Sequence, residues 1–209
     1  MALDLQEQEQ LDAFKAWWNQ YGNVITYTIS FVLLAYAAYQ GWQLYARKQN
    51  VEAAAMFAQF EKSAQSQDIA KIKAQASLIA ETYPRSVYAS RAALMAAKAS
   101  FEKGELPQAK VQLKWVIDES KEPVVRDAAR VRMAAILLDE KQFDAALDAL
   151  KTTDSESMLP VVLDMKGDIE TAKGNLSAAA AAYKEALAKL GQNASGSLIE
   201  TKLDALGIK

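Results

Sequence analysis

The chain has 209 residues and a formal net charge of −2, and it contains neither cysteine nor histidine. Without these residues it can form no disulfide, no thiolate or imidazole metal site and no Ser-His or Cys-His catalytic pair. The charge balance gives no indication of a nucleic-acid surface, and we expect no enzymatic activity, cofactor, small-molecule substrate or nucleic-acid partner.

The first predicted element is a membrane-spanning helix. No charged side chain lies between Lys15 and Arg47, and residues 24–44 inside this gap read VITYTISFVLLAYAAYQGWQL. At 1.5 Å per residue this stretch forms a helix about 31 Å long, which matches the hydrocarbon thickness of a bilayer. Aromatic residues typical of membrane interfaces lie at both of its ends: Trp17, Trp18, Tyr21, Tyr39, Trp42 and Tyr45. We predict a transmembrane helix over residues 22–45, preceded by a short acidic amphipathic segment over residues 1–21.

Two alternatives to a permanent anchor are a buried helix of a soluble protein and a cleaved signal peptide. A buried soluble helix seldom runs so long without a charge. Ala35-Tyr36-Ala37 resembles a cleavage site, but the segment before it is acidic, whereas a signal peptide begins with a basic region. The apolar stretch also continues beyond that site. An uncleaved single-pass anchor therefore fits the pattern better.

The charges beside the anchor bear on its orientation. Lys15 lies on the N-terminal side, whereas Arg47, Lys48 and then Lys62 lie on the other. Counted literally, the positive-inside rule places the large C-terminal portion in the cytoplasm. The difference is only two or three residues, so the charge pattern leaves the orientation open.

Beyond the anchor, the frame G-x-[L/Y/F]-x-x-A recurs, with substitutions. It begins at Gly104, Lys141 and Gly174, and a degenerate copy has its turn near Gln67-Asp68-Ile69. Small residues recur around it where paired helices touch, and this pattern with a period of about 34 residues is typical of tetratricopeptide repeats. We predict an all-α fold in which a single N-terminal transmembrane helix precedes a tetratricopeptide-repeat-like α-solenoid over residues 46–209.

Other residues predict where the helices begin and end. Pro84, Pro123 and Pro160 each follow a turn by 17 to 19 residues, where the second helix of a pair is expected to stop. No Pro or Gly lies between Trp42 and Ser66, so the membrane helix is expected to continue into the first repeat helix.

The C-terminus is predicted to form a capping helix. Ser197-Leu198-Ile199-Glu200 reads as a capping box that opens a short last helix. Leu198, Ile199, Leu203 and Leu206 would then cover the apolar face of the final repeat, since a stacked array needs a terminal cap.

The predicted function is protein binding, because the first helices of stacked pairs line a concave groove. Counting back from the turns assigns nine residues to this groove: Phe57, Arg91, Leu94, Lys98, Phe101, Val131, Leu138, Asp164 and Asp168. Apolar centres flanked by charges suit a peptide or a partner helix. The one catalytic-type motif, Ser100-x-x-Lys103, lacks the S-D-N and K-T-G motifs that accompany it in penicillin-binding enzymes.

The whole chain resembles the YfgM family, the ancillary subunits of the bacterial SecYEG translocon. The resemblance rests on the N-terminal EQEQLDAFKAWWNQYGN, on Gly41-Trp42 at the end of the membrane helix, and on Leu163, Lys166-Gly167 and Lys173-Gly174 in the repeats. It implies a single-pass inner-membrane protein with a cytoplasmic N-terminus and a periplasmic repeat domain. It also implies partners: the SecYEG translocon and PpiD, a membrane-anchored periplasmic chaperone. The resemblance supplies no catalytic residues.

The predicted role is therefore a non-enzymatic, membrane-tethered adaptor that links translocated clients to periplasmic chaperones. The alternative is a membrane-anchored repeat scaffold for envelope assembly or division complexes. An enzyme would need a convergent pocket of titratable groups.

Overall fold

The computed structural model of the chain describes residues 5–65, 68–191 and 196–207, and every regular element in these ranges is helical. In chain order the elements are α1 (Leu5–Ala64), α2 (Ile69–Thr82), α3 (Val87–Glu102), α4 (Leu106–Glu119), α5 (Pro123–Asp139), α6 (Phe143–Ala149), a short 3-10 turn (Glu156–Met158), α7 (Leu159–Lys173), α8 (Leu176–Lys189) and α9 (Ser197–Ala205). The chain divides into two compact units, Met1–Gln49 and Asn50–Lys209. The predicted all-α class is confirmed, while Gln67 of the predicted first turn lies outside the described residues.

Helix α1 carries the apolar stretch. It runs for 60 residues without interruption, so the predicted continuation from the apolar stretch into the first repeat helix is confirmed. The side chains of Tyr27, Phe31 and Leu34 are 74%, 73% and 70% exposed. α1 is long and apolar enough to cross a membrane, and lipid would cover side chains that water solvates poorly.

The second unit is a stack of helix pairs. α3 pairs with α4, α5 with α6 and α7 with α8, and the end of α1 packs with α2 and α3 in the first buried cluster. Three further buried clusters follow along this series. Small residues of the repeat pattern are buried, as expected where paired helices touch: Ala93, Ala97, Ala134, Ala146 and Ala179. A Cβ atom on Gly167 would overlap the ring of Tyr183, so this close contact between α7 and α8 requires glycine.

The turns inside three pairs share one geometry. Gly104, Lys141 and Gly174 have left-handed backbone conformations, with φ of 78°, 61° and 85°. After each, the next backbone N–H donates to the carbonyl five residues earlier, as Asn175 N–H does to Glu170 at 2.8 Å. This is the Schellman motif, in which a left-handed residue ends one helix and satisfies its last carbonyls. The three predicted turn positions are thus confirmed.

The prolines have a different role from the predicted one. Pro123 is the first residue of α5 and Pro160 the second residue of α7, so they begin first helices instead of ending second helices. Proline suits the first turn of a helix because its φ is already helical and its missing N–H would have no helical partner there. Only Pro84 lies in a connection, between α2 and α3. α6 already ends at Ala149, well before Pro160.

The C-terminal helix forms as predicted, with two corrections. α9 begins at Ser197, and Gly196 occupies the N-cap position that the capping box assigned to Ser197. Ile199, Leu203 and Leu206 pack on the last buried cluster, but Leu198 is 65% exposed and covers no part of it. The helix presents its apolar residues with a 3.6-residue period, and Leu198 falls on the opposite face.

Ion pairs connect each helix pair to the next. The N–O distances are 2.6 Å for Lys73–Glu105, 2.7 Å for Lys110–Glu140 and 2.6 Å for Lys173–Asp144. In the first two, the second helix of one pair supplies the lysine and the turn region of the following pair supplies the acid. In the third ion pair the signs are reversed. The second helix α6 supplies the acid, Asp144, and the turn region of the following pair supplies the lysine, Lys173.

Candidate protein-binding surface

Helix α3 presents one continuous face of predicted groove residues. Arg91, Leu94, Lys98 and Phe101 follow a spacing of three, four and three residues, which places them on the same side of the helix. We call these four residues the α3 stripe. Arg91 and Lys98 are exposed, Phe101 is 44% exposed and Leu94 is half-buried against the core cluster that contains Ala93. The stripe therefore offers apolar and cationic side chains in alternation.

The cations of the α3 stripe are only loosely held. The Arg91 guanidinium lies over the Tyr88 ring, 5.9 Å from its centroid. Lys98 pairs with Glu102 on the same helix at 3.7 Å, and both side chains are mostly exposed. Exposed pairs of this kind contribute little to stability, so these charges can be redirected to a partner at small cost.

A cleft of about 370 Å³ lies beside the stripe, and Lys98 belongs to both. Its lining comes from the end of α1, from α2 and from α3: Ala64, Ile69, Ile72, Met95, Lys98, Ala99, Glu102 and Lys103. An apolar floor with charged residues at its rim resembles the anatomy of protein-binding surfaces. Sequence reasoning did not find this cleft, because its walls come from three separate helices.

Three other predicted groove residues pack mainly against the buried core of the protein. Phe57 is 8% exposed, and its ring centroid lies 5.6 Å from that of Phe60 and 5.4 Å from that of Tyr88. Phe57 is therefore a core residue and does not line an exposed surface. Val131 and Leu138 of α5 are half-buried and pack against the third core cluster.

The last two predicted residues are engaged by the C-terminal helix. Lys202 of α9 lies 2.8 Å from carboxylate oxygens of both Asp164 and Asp168. Burial lowers the pKa of Lys202, but its hydrogen bonds to the two carboxylates outweigh this and leave the pKa raised. Tyr183 donates to Asp168 at 2.8 Å, and burial together with this bond raises the pKa of the phenol. The structure thus brings Asp164 and Asp168 together, but around a residue of the same chain.

A second polar cluster, which sequence reasoning missed, surrounds Asp127 on α5. This carboxylate is fully buried and accepts the backbone N–H of Asp154 at 2.9 Å and of Ser155 at 2.8 Å. Arg130 donates to Asp127 and, at 2.7 Å, to the side chain of Asp154. Arg126 donates to the same Asp154 oxygen at 2.7 Å. The cluster fixes the connection after α6 to α5, so its role is structural.

The charges of this cluster shift the pKa of two members. The hydrogen bonds from Arg126 and then Arg130 lower the pKa of Asp154. Burial lowers the pKa of Arg130, but its bonds to Asp154 and Asp127 dominate and raise it. Both shifts favour the charged forms, as expected for a hydrogen-bonded ion network. The sequence signal was an aspartate between apolar positions of α5, flanked by two arginines.

The described residues contain no group of three or more acidic side chains that could hold a metal ion. Ser100 of the S-x-x-K motif is fully buried within α3 and is not presented to a substrate.

Stacked helix pairs with a shared turn, together with one exposed helix of membrane-spanning length, define a membrane-anchored tetratricopeptide-repeat-like protein. The tetratricopeptide repeat-like domain family matches residues 15–208. A Neisseria gonorrhoeae protein is 35% identical over 208 residues, covering 99% of this chain and 100% of the relative. Relatives from Haemophilus influenzae (26% over 186 residues, 89% and 91% covered) and Escherichia coli K12 (24% over 205 residues, 97% of each) carry the same name, ancillary SecYEG translocon subunit. The chain belongs to this family. No solved structure matches it.

The family is of a non-catalytic, protein-binding kind, and its name indicates association with the Sec translocon. The translocon-subunit relatives and the exposed apolar helix together fit a single-pass protein of the inner membrane.

Proposed function

We propose that this protein is a membrane-tethered adaptor that links clients leaving the SecYEG translocon to periplasmic chaperones, with PpiD as the chaperone partner. The observation that carries this proposal is the α3 stripe, an exposed face of alternating apolar and cationic side chains beside an open cleft. The same chain carries a helix long and apolar enough to cross a membrane, which supports pairing the proposed binding surface with an anchor.

The proposed topology places the N-terminus in the cytoplasm and the repeat unit in the periplasm. The positive-inside count points the other way, but by only two or three residues, and long domains translocate largely regardless of charge. A reporter that is active only in the periplasm, fused after Lys209, should be active. Activity only of a cytoplasm-specific reporter at the same position would contradict the topology.

The anchor and the stripe have separate tasks in this proposal. The span carries small residues that permit close approach of another membrane helix: Ser30, Ala35, Ala37 and Ala38. We assign the span to the translocon and the α3 stripe to the chaperone. Tethering gives an effective concentration that reaches the millimolar range for short linkers, so the stripe needs only modest affinity.

Co-purification of the detergent-solubilised full chain tests this division. Replacing residues 24–44 with an unrelated spanning helix should reduce recovery of translocon subunits and leave PpiD recovery unchanged. Phe101→Ala with Lys98→Glu should have the opposite effect. Val111→Ala on α4 is a matched control, because Val111 is 65% exposed but lies outside the stripe.

Two results would contradict the proposal. Unchanged translocon recovery after the anchor replacement would reduce the span to a passive tether. Recovery of envelope-assembly or division proteins without translocon subunits would favour the scaffold role instead.

A further inference from the structure

The N-terminal part of α1 carries an exposed apolar face that precedes the membrane span. Leu11, Phe14, Trp18 and Tyr21 are spaced by three, four and three residues and are 47%, 59%, 48% and 46% exposed. Trp17 joins them, with its ring centroid 6.1 Å from Phe14 and 5.9 Å from Tyr21. We call these five residues the N-terminal stripe.

Gly22 shapes this stripe. It is buried, and a Cβ atom on it would lie 3.0 Å from the indole of Trp18. The missing side chain therefore lets the Trp18 ring lie along the helix, in line with the Phe14 ring 6.4 Å away. The result is a continuous aromatic surface about two turns long.

Membrane dimensions leave part of this stripe outside the lipid. The polar headgroup region extends about 5–7 Å beyond the hydrocarbon on each side. Counted from Val24 at 1.5 Å per residue, Tyr21 lies about 4.5 Å out, but Phe14 lies about 15 Å and Leu11 about 20 Å out. Even a 40° tilt leaves Phe14 about 11 Å out. α1 has no break in this region, so the stripe does not fold back onto the surface.

The charges around the stripe also disfavour lipid. Residues 1–21 contain Asp4, Glu7, Glu9 and Asp12 but only one basic residue, Lys15, which pairs with Asp12 at 3.4 Å. Helices that lie on membranes are rich in Lys and Arg, because bacterial and other cytoplasmic leaflets are anionic. An acid-flanked aromatic face is complementary to a basic protein surface.

We propose that the N-terminal stripe docks on a basic cytoplasmic loop of a multispanning membrane protein. Such loops carry an excess of Lys and Arg, which complements the acidic flanks. Leu11, Phe14 and Trp18 have the spacing with which a helix inserts anchors into an apolar groove. The inference rests on the proposed function for its topology and for its partner, a subunit of the translocon. It adds a second contact, on the membrane face opposite to the repeat unit.

Site-specific photo-crosslinking in intact membranes tests the contact. A photoreactive residue at Phe14 of the full chain should yield an adduct with a multispanning membrane protein, and peptide mapping should place it in a cytoplasmic loop. Ala16, exposed on the opposite side of the helix, is the control position and should yield at least fivefold less adduct. An adduct with lipid only, with a second copy of the chain, or equally from Ala16 would overturn the proposal.

Co-purification separates this inference from the proposed function. Phe14→Ala with Trp18→Ala should lower recovery of the translocon about tenfold or more, the loss typical of buried aromatic anchors. Asn19→Ala on the opposite face should not. If the unaltered chain recovers no translocon, the proposed function fails. If it does and the double variant recovers as much, only this inference fails. Loss of the double variant from the membrane fraction would make the stripe part of the anchor and would also overturn it.

Discussion

The α7–α8 and α5–α6 pairs belong to one repeat array but bury their second helices differently. α8 has 14 residues, and its Tyr183 packs onto Gly167 while Ala179 is fully buried. α6 has only 7 residues, and the connection that follows it is bound by the fully buried carboxylate of Asp127. One pair is held by close helix contact, whereas the other replaces half a helix with a hydrogen-bonded connection.

The difference shows what a repeat needs in order to lose a helical segment. The backbone N–H groups of Asp154 and Ser155 donate inward to the buried carboxylate of Asp127, and a donor left without an acceptor away from water costs about 1–3 kcal/mol. Asp127 supplies these acceptors, and Arg130 and Arg126 supply the compensating charge. A buried carboxylate is tolerated because its oxygens are bonded on several sides.

The largest effect is expected at Asp127. Asp127→Ala would leave the N–H groups of Asp154 and Ser155 without their acceptor and Arg130 without one of its two carboxylates. Breaking a buried pair of this kind costs about 3–5 kcal/mol. Denaturant unfolding of the full chain in detergent, followed by circular dichroism, measures it. Asp139→Ala on the same helix is exposed and should change the free energy of unfolding little; equal effects would refute the structural role of the cluster.

A smaller effect is expected where helices touch. Ala179→Leu should destabilise the fold by about 1–3 kcal/mol through overpacking, and Ala146→Leu should lie at the lower end of that range because the short α6 can shift. The exposed neighbours Ala178 and Ala145 provide matched Leu controls. Thermal melts of the four variants measure the effect. Unchanged melts for both buried substitutions would contradict the contact positions.

A substitution in one of the turns should increase the stability of the fold. Lys141 is a non-glycine residue in the left-handed region, which costs about 1–2 kcal/mol for most side chains. Lys141→Gly should therefore raise the free energy of unfolding by about 1 kcal/mol, after the larger entropy loss of glycine is included. The reverse change at the equivalent position, Gly174→Lys, should lower it by a similar amount. A lower free energy of unfolding for both variants would show that the turn at Lys141 differs from the turn at Gly174.

The smallest effect is a pH dependence specific to the α5–α6 pair. Because the folded-state pKa of Asp154 is lowered, its ionised form stabilises the fold above the ordinary aspartate value of about 3.9. This contribution is lost as the pH falls from about 3.9 through the lowered pKa. The melting temperature of Asp154→Asn should lie below that of the unaltered chain at pH 6, and the gap should narrow toward pH 3. A constant gap would exclude titration of Asp154 as the cause.

The parts predicted from sequence depend on short-range rules. A left-handed turn needs only its own few residues, so Gly104, Lys141 and Gly174 were identifiable from their frame. The α3 stripe likewise follows from the helical period. The early end of α6 was not predictable, because the acceptor that stabilises the open connection, Asp127, lies 27 residues before Asp154.

The same distinction holds for the candidate surface. Asp164 and Asp168 share one face of α7 because they are four residues apart, but their partner Lys202 comes from 38 and 34 residues further along the chain. Phe57 and Phe60 share one face of α1 because they are three residues apart. That α2 and α3 residues pack in the same buried cluster, so that Phe57 is not exposed in a groove, is not revealed by the helical period.

The reversal of sign in the last of the ion pairs between successive helix pairs distinguishes the junction of α5–α6 with α7–α8 from the two junctions before it. If the third pair were skipped and α4 were stacked against α7, Lys110 would face Lys173, two like charges at a half-buried contact. A repeat array is prone to such mispairing, within one chain or between two nascent chains, because its units have similar shapes. Here the reversed charges disfavour an array that omits the α5–α6 pair, whereas the correct order forms a salt bridge at each of these junctions.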